Sequence, residues 1–465
     1  MVMALTAADV AAATRGRLVA GNATTPIGRI SIDSRSLSAG DFFVAIRGER
    51  FDGHAFAADA VARGAAGVMV SDGRAIPGST SAVVVEVADT TTALQDLARW
   101  VRRKSGARVV AITGSAGKTT TKEICAELLS TQYRVFRNKG NLNNHIGLPL
   151  SLLDLREAPD VAVVELGMNH PGEIRTLVGI AEPEVRVWTN VGDAHIGFFE
   201  TADAIADAKA EVIESARPDD VLVANANDAR VIGRIVPFKG RVVTFGTDIE
   251  ADVVARDVKL RGLEGTSASV STPSGGFELR SPLLGLGNLS NVLAATAVAV
   301  TMNVPTNAIA DRIGSLRPAH HRGELLRLPG GVTLVDDSYN SSPAALKRAL
   351  ETIASANGSA RKVAVLGQML ELGEHGARLH QECGLAAARA GLDLLIAVGG
   401  DNARELAAAA VAAGMAPGAV VHVANNADAV AAALQRVRPG DLVLVKGSRG
   451  IGLDVVVDRL RAEFA

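Results

Sequence analysis

The chain has 465 residues, of which 48% are hydrophobic, 21% charged and 3% aromatic, with a formal net charge of −2. That composition excludes a disordered chain, and it lacks the basic stripe and stacking aromatics of a nucleic-acid binder, so no nucleic acid is expected as a partner. Two cysteines, Cys125 and Cys383, exclude a disulfide framework or zinc cluster, and Arg, Asp or Gly breaks each apolar run before the ~18 residues of a membrane span.

At about 150 residues per domain, the length corresponds to about three domains. The first thirteen residues hold Asp9 and no basic segment of a secretory signal, so a cytoplasmic location is expected, without membrane insertion. Residues 1–88 carry short strand patterns at 41–46, 67–71 and 83–87 around an Ala-rich helical stretch at 55–63, which reads as a small α/β unit. A helix at 92–103 then leads into the most informative stretch of the chain. The β-branched run 109–112 feeds Thr113-Gly114-Ser115-Ala116-Gly117-Lys118-Thr119, with Thr120 following in a helical pattern. Such a strand, Gly loop and helix aim backbone amides and a helix N-terminus at one point, as a polyphosphate requires. Lys118 would reach the terminal phosphates and the Thr119 hydroxyl would hold Mg²⁺. Ile112 stands where the general phosphate loop has its first Gly, so the short form is present. Cys125, in the helix after the loop, reads as a small core residue.

Strand patterns at 161–166, 185–191, 221–224 and 242–246 alternate with helical ones, the mark of a mostly parallel sheet over residues 89–316. Alternating small polar residues at 252–280 suit an antiparallel hairpin insertion. Glu165 ends a buried apolar strand, where open α/β sheets bind ligands; a cation such as Mg²⁺ would compensate it, as would a basic side chain. One strand later, Asn190 to His195 forms a similar segment, with His195 a candidate metal ligand or hydrogen-bond donor. Lys209, in Asp207-Ala208-Lys209-Ala210-Glu211, reads on these residues alone as a solvated helical lysine. The loop Asn138-Lys139-Gly140-Asn141-Leu142-Asn143-Asn144-His145 supplies amides that donate and accept, which suits a polar, uncharged substrate. A boundary falls near Arg317-Pro318. Over 317–465, strand patterns at 363–367, 394–399, 420–424 and 442–447 predict a second doubly wound sheet, and the Ala-rich runs 406–413 and 427–434 predict helices. Asp336 and Asp337 follow a strand at 331–335; they would take a substrate ammonium, with Tyr339 or Asn340 orienting it. Both polar loops could equally be Asx turns that cap helices.

These segments resemble the Mur ligase family from end to end. The likeness runs through Asp33-Ser34-Arg35, Asp52-Gly53-His54, the phosphate and Asn-rich loops, Glu165-Leu166-Gly167-Met168-Asn169, and Asn190 to His195. It continues through His321-Arg322-Gly323-Glu324, Asp337-Ser338-Tyr339-Asn340, Leu366-Gly367-Gln368-Met369 and Lys446-Gly447-Ser448-Arg449. The resemblance implies three α/β domains: a small N-terminal one for the UDP-sugar, a central ATPase-type parallel sheet, and a C-terminal Rossmann-like domain for the acceptor. It implies a monomer that uses ATP and Mg²⁺ to join D-alanyl-D-alanine to UDP-N-acetylmuramoyl-tripeptide through an acyl phosphate. By the same resemblance, Ser34 and Arg35 lie near the UDP-sugar, and Asn141, Asn143, Asn144, Tyr339 and Asn340 contact substrate. Gly114, Ser115, Ala116, Gly117, Lys118, Thr119, Thr120, Asn291, Arg322 and Asp337 serve ATP. Thr119, Glu165, His195 and Lys209, the last as a carbamate, hold metal, and Lys118, Glu165, His195 and Lys209 are catalytic. Two positions depart from the family's pattern: Gly287 replaces a His before the Asn288…Asn291 pair, and Ser342 replaces an Asn. Other activities share parts of this pattern. The sister ligase that adds the third amino acid, diaminopimelate or lysine, has an Asp-Asn-Pro-Arg motif, which Asp401-Asn402-Ala403-Arg404 nearly matches. A folylpolyglutamate synthetase typically begins near its phosphate loop, whereas about 110 residues precede it here. A nucleotide switch without an acceptor would need neither Asn-rich loop nor third domain.

Overall fold

The structure, a computed structural model, describes residues 3–48, 51–71, 81–194, 196–356 and 361–465. Its strands form three sheets in an α/β arrangement, as the alternating pattern predicts. Backbone contacts group the chain into two compact units, one of residues 1–111 with 133–185 and one of 112–132 with 186–465.

The first unit opens with a helix, Ala7–Thr14, held by a reciprocal capping box between Thr6 and Asp9. Strands β1 (Arg17–Ala20), β2 (Ile30–Ser31), β3 (Phe42–Val44), β4 (Gly67–Val70) and β5 (Val83–Glu86) make a sheet in the order β1-β5-β4-β3-β2. Only β1 pairs antiparallel, and Phe43, Ala45, Val68, Val70 and Val84 pack on the Ala57–Ala62 helix through Ala57 and Ala60. The predicted helix at 55–63 is shorter than expected because a 3-10 turn, Gly53–Phe56, precedes it; Asp52 caps that turn by accepting from the His54 amide. Helix Thr90–Ser105 begins at an Asp89 cap and ends at Gly106, which takes the left-handed conformation open to glycine.

A nine-stranded sheet follows: β6 (Arg108–Thr113), β7 (Val135–Arg137), β8 (Val161–Glu165), β9 (Val185–Trp188), β10 (Val221–Asn225), β11 (Arg241–Thr247), β12 (Val253–Leu260), β13 (Thr266–Thr272) and β14 (Gly275–Ser281). Their order is β14-β13-β12-β11-β10-β9-β6-β8-β7. Every residue of β8, β9 and β10 is buried, which is why these strands read as unbroken apolar runs and not as alternations. The expected hairpin insertion is present as β12, β13 and β14, paired antiparallel, and β13 alternates buried and half-buried positions over most of its length.

The third sheet lies wholly in the second unit: β15 (Glu324–Arg327), β16 (Thr333–Asp337), β17 (Arg361–Gly367), β18 (Leu394–Val398), β19 (Val420–Val423) and β20 (Asp441–Lys446), ordered β15-β16-β20-β17-β18-β19. All neighbours are parallel except β15 with β16. Strands β18 and β20 are again buried throughout. Leu334, Val365, Ile396 and Val445 form one core with Val456, Val457 and Leu460 of the last helix, Asp454–Glu463. Among the described residues, no helix is long and apolar enough to cross a membrane. Both cysteines are buried, as expected of Cys125; burial raises both thiols, that of Cys383 to about 12.

Candidate active site

In the second unit, β6 ends at the buried Thr113, and helix Lys118–Leu129 starts five residues later. The turn between them needs its two glycines. Gly114 (φ 149°) and Gly117 (φ 81°) occupy backbone conformations that L side chains rarely adopt. A Cβ on Gly114 would collide with Thr189 Oγ1, and one on Gly117 with Asn291 Oδ1. Neighbouring side chains thus fill the volume that glycine leaves, and the loop is braced from two sides. Asn190 supplies most of the brace. Its carbonyl accepts from the Ser115 amide (3.0 Å), its Oδ1 from the Ala116 amide (2.9 Å), and its Nδ2 donates to the Ala116 carbonyl (3.0 Å). Thr189 Oγ1 donates to the same carbonyl at 2.8 Å, and Ser115 Oγ is tied to the main chain of Gly192. Lys118 Nζ curls back to the Gly114 carbonyl at 2.9 Å, keeping its charge over the loop. Asn291 is buried; its Oδ1 accepts from Thr121 Oγ1 (3.2 Å) and its Nδ2 donates to Asn288 Oδ1 (3.3 Å). The structure therefore brings together Gly114 to Thr120 and Asn291. The role of Asn190 is one that sequence reasoning missed, since the 190–195 segment pointed to ligands and not to a brace for a loop 74 residues away in the chain.

The Asn-rich loop and Glu165 meet in the first unit. Glu165 is only 4% exposed at the end of β8. Asn143 Nδ2 donates to its Oε1 at 2.7 Å, and Asn138 Oδ1 accepts from its amide at 3.2 Å. Gly167 lies so close that a Cβ there would meet the Asn143 amide group at 2.9 Å. Asn144 Oδ1 accepts from the Ile146 and Gly147 amides, starting helix Gly147–Leu152, so its oxygen does the Asx-turn work that was the plainer of the two readings. Asn141 is exposed. The loop thus divides its amides: Asn138, Asn143 and Asn144 shape the main chain and hold a carboxylate, and Asn141 faces solvent.

In the C-terminal part of the second unit, Asp336 and Asp337 separate in role. Asp336 is buried, with Oδ1 accepting from the Ser338 amide and hydroxyl and Oδ2 paired with His321 Nδ1 at 2.5 Å, so it is not available to a substrate ammonium as expected. Asp337 is half-exposed, and its Oδ2 accepts from the buried Lys446 Nζ at 2.6 Å; the same ammonium donates to the Asn340 carbonyl at 3.0 Å. Two guanidinium groups lie over the Tyr339 ring, that of Arg322 at 4.2 Å and that of Arg449 at 5.4 Å from its centre. Four of the residues expected at ligands, Arg322, Asp337, Tyr339 and Asn340, are therefore close together, and the unforeseen Lys446 ties Asp337 to the Asn340 carbonyl.

With this geometry in place, the chain can be set beside known proteins. Residues 26–112 match the Mur ligase family catalytic domain, 112–299 the Mur ligase middle domain, and 321–449 the Mur ligase glutamate ligase domain. The UDP-N-acetylmuramoyl-tripeptide–D-alanyl-D-alanine ligase of Bacillus subtilis (strain 168) is 34% identical over 94% of this chain and 93% of its own length. The chain belongs to the Mur ligase family. Among solved structures, MurF from Acinetobacter baumannii has a TM-score of 0.89 at 32% identity, covering 99% of both chains. MurF ligase from Thermotoga maritima in complex with ADP has a TM-score of 0.82 at 29% identity, covering 94% of this chain and 97% of its own.

Other residues expected of a Mur ligase are placed as follows. Lys209, near the end of helix Ala202–Ala210, is 2% exposed, which overturns the solvated reading that its polar neighbours suggested. His195 lies outside the described residues. Ser34 is half-buried in a short 3-10 turn and Arg35 is exposed, with its guanidinium already engaged by Asp33 through Nε (2.9 Å) and Nη2 (2.8 Å). Those bonds hold the Asp33 carboxyl down at about 2. Asp401 to Arg404, the near match to a sister Mur ligase's motif, is simply the first turn of helix Asp401–Ala412; Arg404 bonds back to Asp401, and Asn402 packs on Gly376.

Proposed function

We propose that the chain joins D-alanyl-D-alanine to UDP-N-acetylmuramoyl-tripeptide at the expense of ATP, in the cytoplasm and as a monomer. The observation that carries this reading is the end-to-end likeness to relatives of that printed activity, 34% identical over 94% of the chain for the Bacillus subtilis protein. The braced Gly114–Lys118 loop supports ATP as the phosphoryl donor, as does the ADP-bound Thermotoga relative. In this reading residues 1–88 hold the UDP-sugar, 89–316 the ATP and 317–465 the dipeptide.

The chemistry asks the protein to position groups and neutralise charge. Lys118, anchored beside the loop, would move its ammonium from the Gly114 carbonyl to the phosphate oxygens and offset charge as the γ-phosphoryl passes to the tripeptide carboxylate. The dipeptide amine would then attack the acyl phosphate carbon, and collapse of the tetrahedral intermediate would leave amide and phosphate. Mg²⁺ fits the donors present, because it takes hard oxygens, needs only one or two from protein, and the buried Glu165 carboxylate and the Thr119 hydroxyl are of that kind. When bound, it would supply charge neutralisation of the phosphates. The buried Lys209 would serve as a carbamate, formed when its neutral amine adds to CO₂ with release of a proton; burial favours the neutral amine that this step needs. His195 would complete that set. Ser34, Arg35, Asn141, Asn143, Asn144, Tyr339 and Asn340 would contact substrates.

The deciding assay measures phosphate release with ATP, UDP-N-acetylmuramoyl-tripeptide and a panel of acceptors. Turnover is expected to depend on D-alanyl-D-alanine; preference for a free diamino acid would overturn the assignment. In the same assay Lys209→Ala is expected to lose turnover, and a fully active variant would remove Lys209 from the reaction.

A further inference from the structure

Two turns of the second unit touch at points where neither carries a side chain. The short helix Ile196–Phe199 meets the turn at 371–375 through Gly197 and Gly373, and the Gly197 amide donates to the Glu371 carbonyl at 3.0 Å. A Cβ on Gly197 would fall 2.6 Å from the Gly373 nitrogen and 2.9 Å from the Glu371 oxygen, and one on Gly373 would fall 2.9 Å from the Gly197 Cα. Gly197 is not among the residues with positive φ, so its own backbone does not require glycine. Both glycines are exposed, so core packing does not require it either. What glycine provides at 197 is the close approach of two main chains. The flanking residues are held for that approach. Glu200 (φ 61°) and Glu371 (φ 64°), one on each side, take the left-handed conformation that L side chains resist, and His375 Nε2 donates to the Glu200 carbonyl at 3.2 Å.

Each side of the contact leads to one of the two candidate sites in this unit. On one side, Gly197 closely follows Asn190 and Gly192, which brace the phosphate loop, and Asp228 Oδ2 fixes the segment by accepting from the Val191 amide at 2.7 Å. On the other, the Met369 amide is held by His380 Nε2 and the Leu370 amide donates to Ser448 Oγ at 3.0 Å. Ser448 is buried, and in sequence it lies between Lys446, bound to Asp337 and the Asn340 carbonyl, and Arg449, which lies over Tyr339. Anchored main chain thus leads from the phosphate loop to the loop at 337–340, and the two halves of that route meet at Gly197 and Gly373. We propose that Gly197, Gly373 and His375 are positioning residues, whose contact sets the loop at 337–340 against the phosphate loop at the separation that amide formation requires. This assignment rests on the two loops being the dipeptide and ATP sites. Misplacing reacting groups by about 1 Å can cost about 100-fold in rate, and a methyl at position 197 would part the two turns by most of an ångström.

The test, on the full chain, separates binding at each site from the step that needs both. In Gly197→Ala, kcat with ATP, UDP-N-acetylmuramoyl-tripeptide and D-alanyl-D-alanine is expected to fall about ten-fold or more. Binding of inorganic tripolyphosphate, a probe of the phosphate loop alone, and KM for D-alanyl-D-alanine are expected to stay within about two-fold of the parent. His375→Ala adds no atoms and removes one tie, so a smaller loss of about three-fold in kcat is expected, again with tripolyphosphate binding retained. If Gly197→Ala does not fold, His375→Ala carries the test alone. Parent-like kcat in the folded variant would overturn the positioning role, as would a loss confined to KM. Tripolyphosphate binding that weakens in step with kcat would also overturn it, because the contact would then serve the phosphate loop itself. Parent protein that turns over no ATP with D-alanyl-D-alanine would instead overturn the reading of the two sites, and the proposal with it.

Discussion

His380 shows how a single buried side chain makes stability depend on pH. It is fully buried in helix Gly376–Arg389, where Nε2 accepts from the Met369 amide at 2.9 Å; the ring proton must then sit on Nδ1 and donate to the Gly376 carbonyl at 2.7 Å. Burial lowers its pKa below the ordinary 6.5. On acidification the unfolded chain therefore takes up the proton first, and stability that is intact above that value declines as pH falls through it. Thermal melts between pH 7.5 and 5.5 should show the decline, and His380→Gln should flatten it; an unchanged slope would count against this account. Legibility at this scale follows the range of the interactions. Gly114, Gly117 and Lys118 could be read because their chemistry is set by a few adjacent residues. The burial of Lys209 could not, because its neighbours Asp207 and Glu211 are polar and its surroundings come from elsewhere in the chain. Asn190 was hidden for the same reason: its three bonds to the phosphate loop exist only once β6 and β9 lie side by side.

At the level of elements, the phosphate loop is a rigid piece of main chain, since its two glycines abut fixed neighbours. Gly117→Ala would add a methyl in a left-handed conformation, costing roughly 1–2 kcal/mol, and drive it against Asn291. The expected result is a loss of at least ten-fold in kcat/KM for ATP with the circular dichroism spectrum of the parent, and near-normal turnover would contradict the geometry. The longer elements were visible in the sequence through period and punctuation: the helix expected at 92–103 is Thr90–Ser105, extended by its Asp89 cap and Gly106 stop. The hairpin strands were visible through alternation. Those missed were short or at edges. β2 has two residues, β1 is a four-residue edge strand, and β15 is a four-residue edge strand just after the boundary read near Arg317-Pro318. Such strands are stabilised by a neighbour's hydrogen bonds more than by their own composition.

For the molecule as a whole, a nucleotide that binds only the folded chain must stabilise it. At one hundred times its dissociation constant the gain is roughly 2.7 kcal/mol, so Mg-ATP is expected to raise the melting temperature by a few degrees. Lys118→Ala should abolish the rise, and a shift of equal size in that variant would place the nucleotide elsewhere. The α/β class and the presence of several parallel sheets could be read from the alternation of runs. Strand order could not: β20, the last strand, inserts between β16 and β17, and no local signal announces pairings as distant as Thr333 with Leu442 or Arg361 with Asp441. The crowding around the phosphate loop also bears on how this enzyme could be inhibited. The space beside Gly114 and Gly117 is already taken by Thr189 and Asn291, so neither glycine can acquire a side chain without disturbing its neighbour. A compound that gripped only the main chain of these residues would therefore meet a surface that resistance mutations at either position could alter only by damaging the enzyme itself.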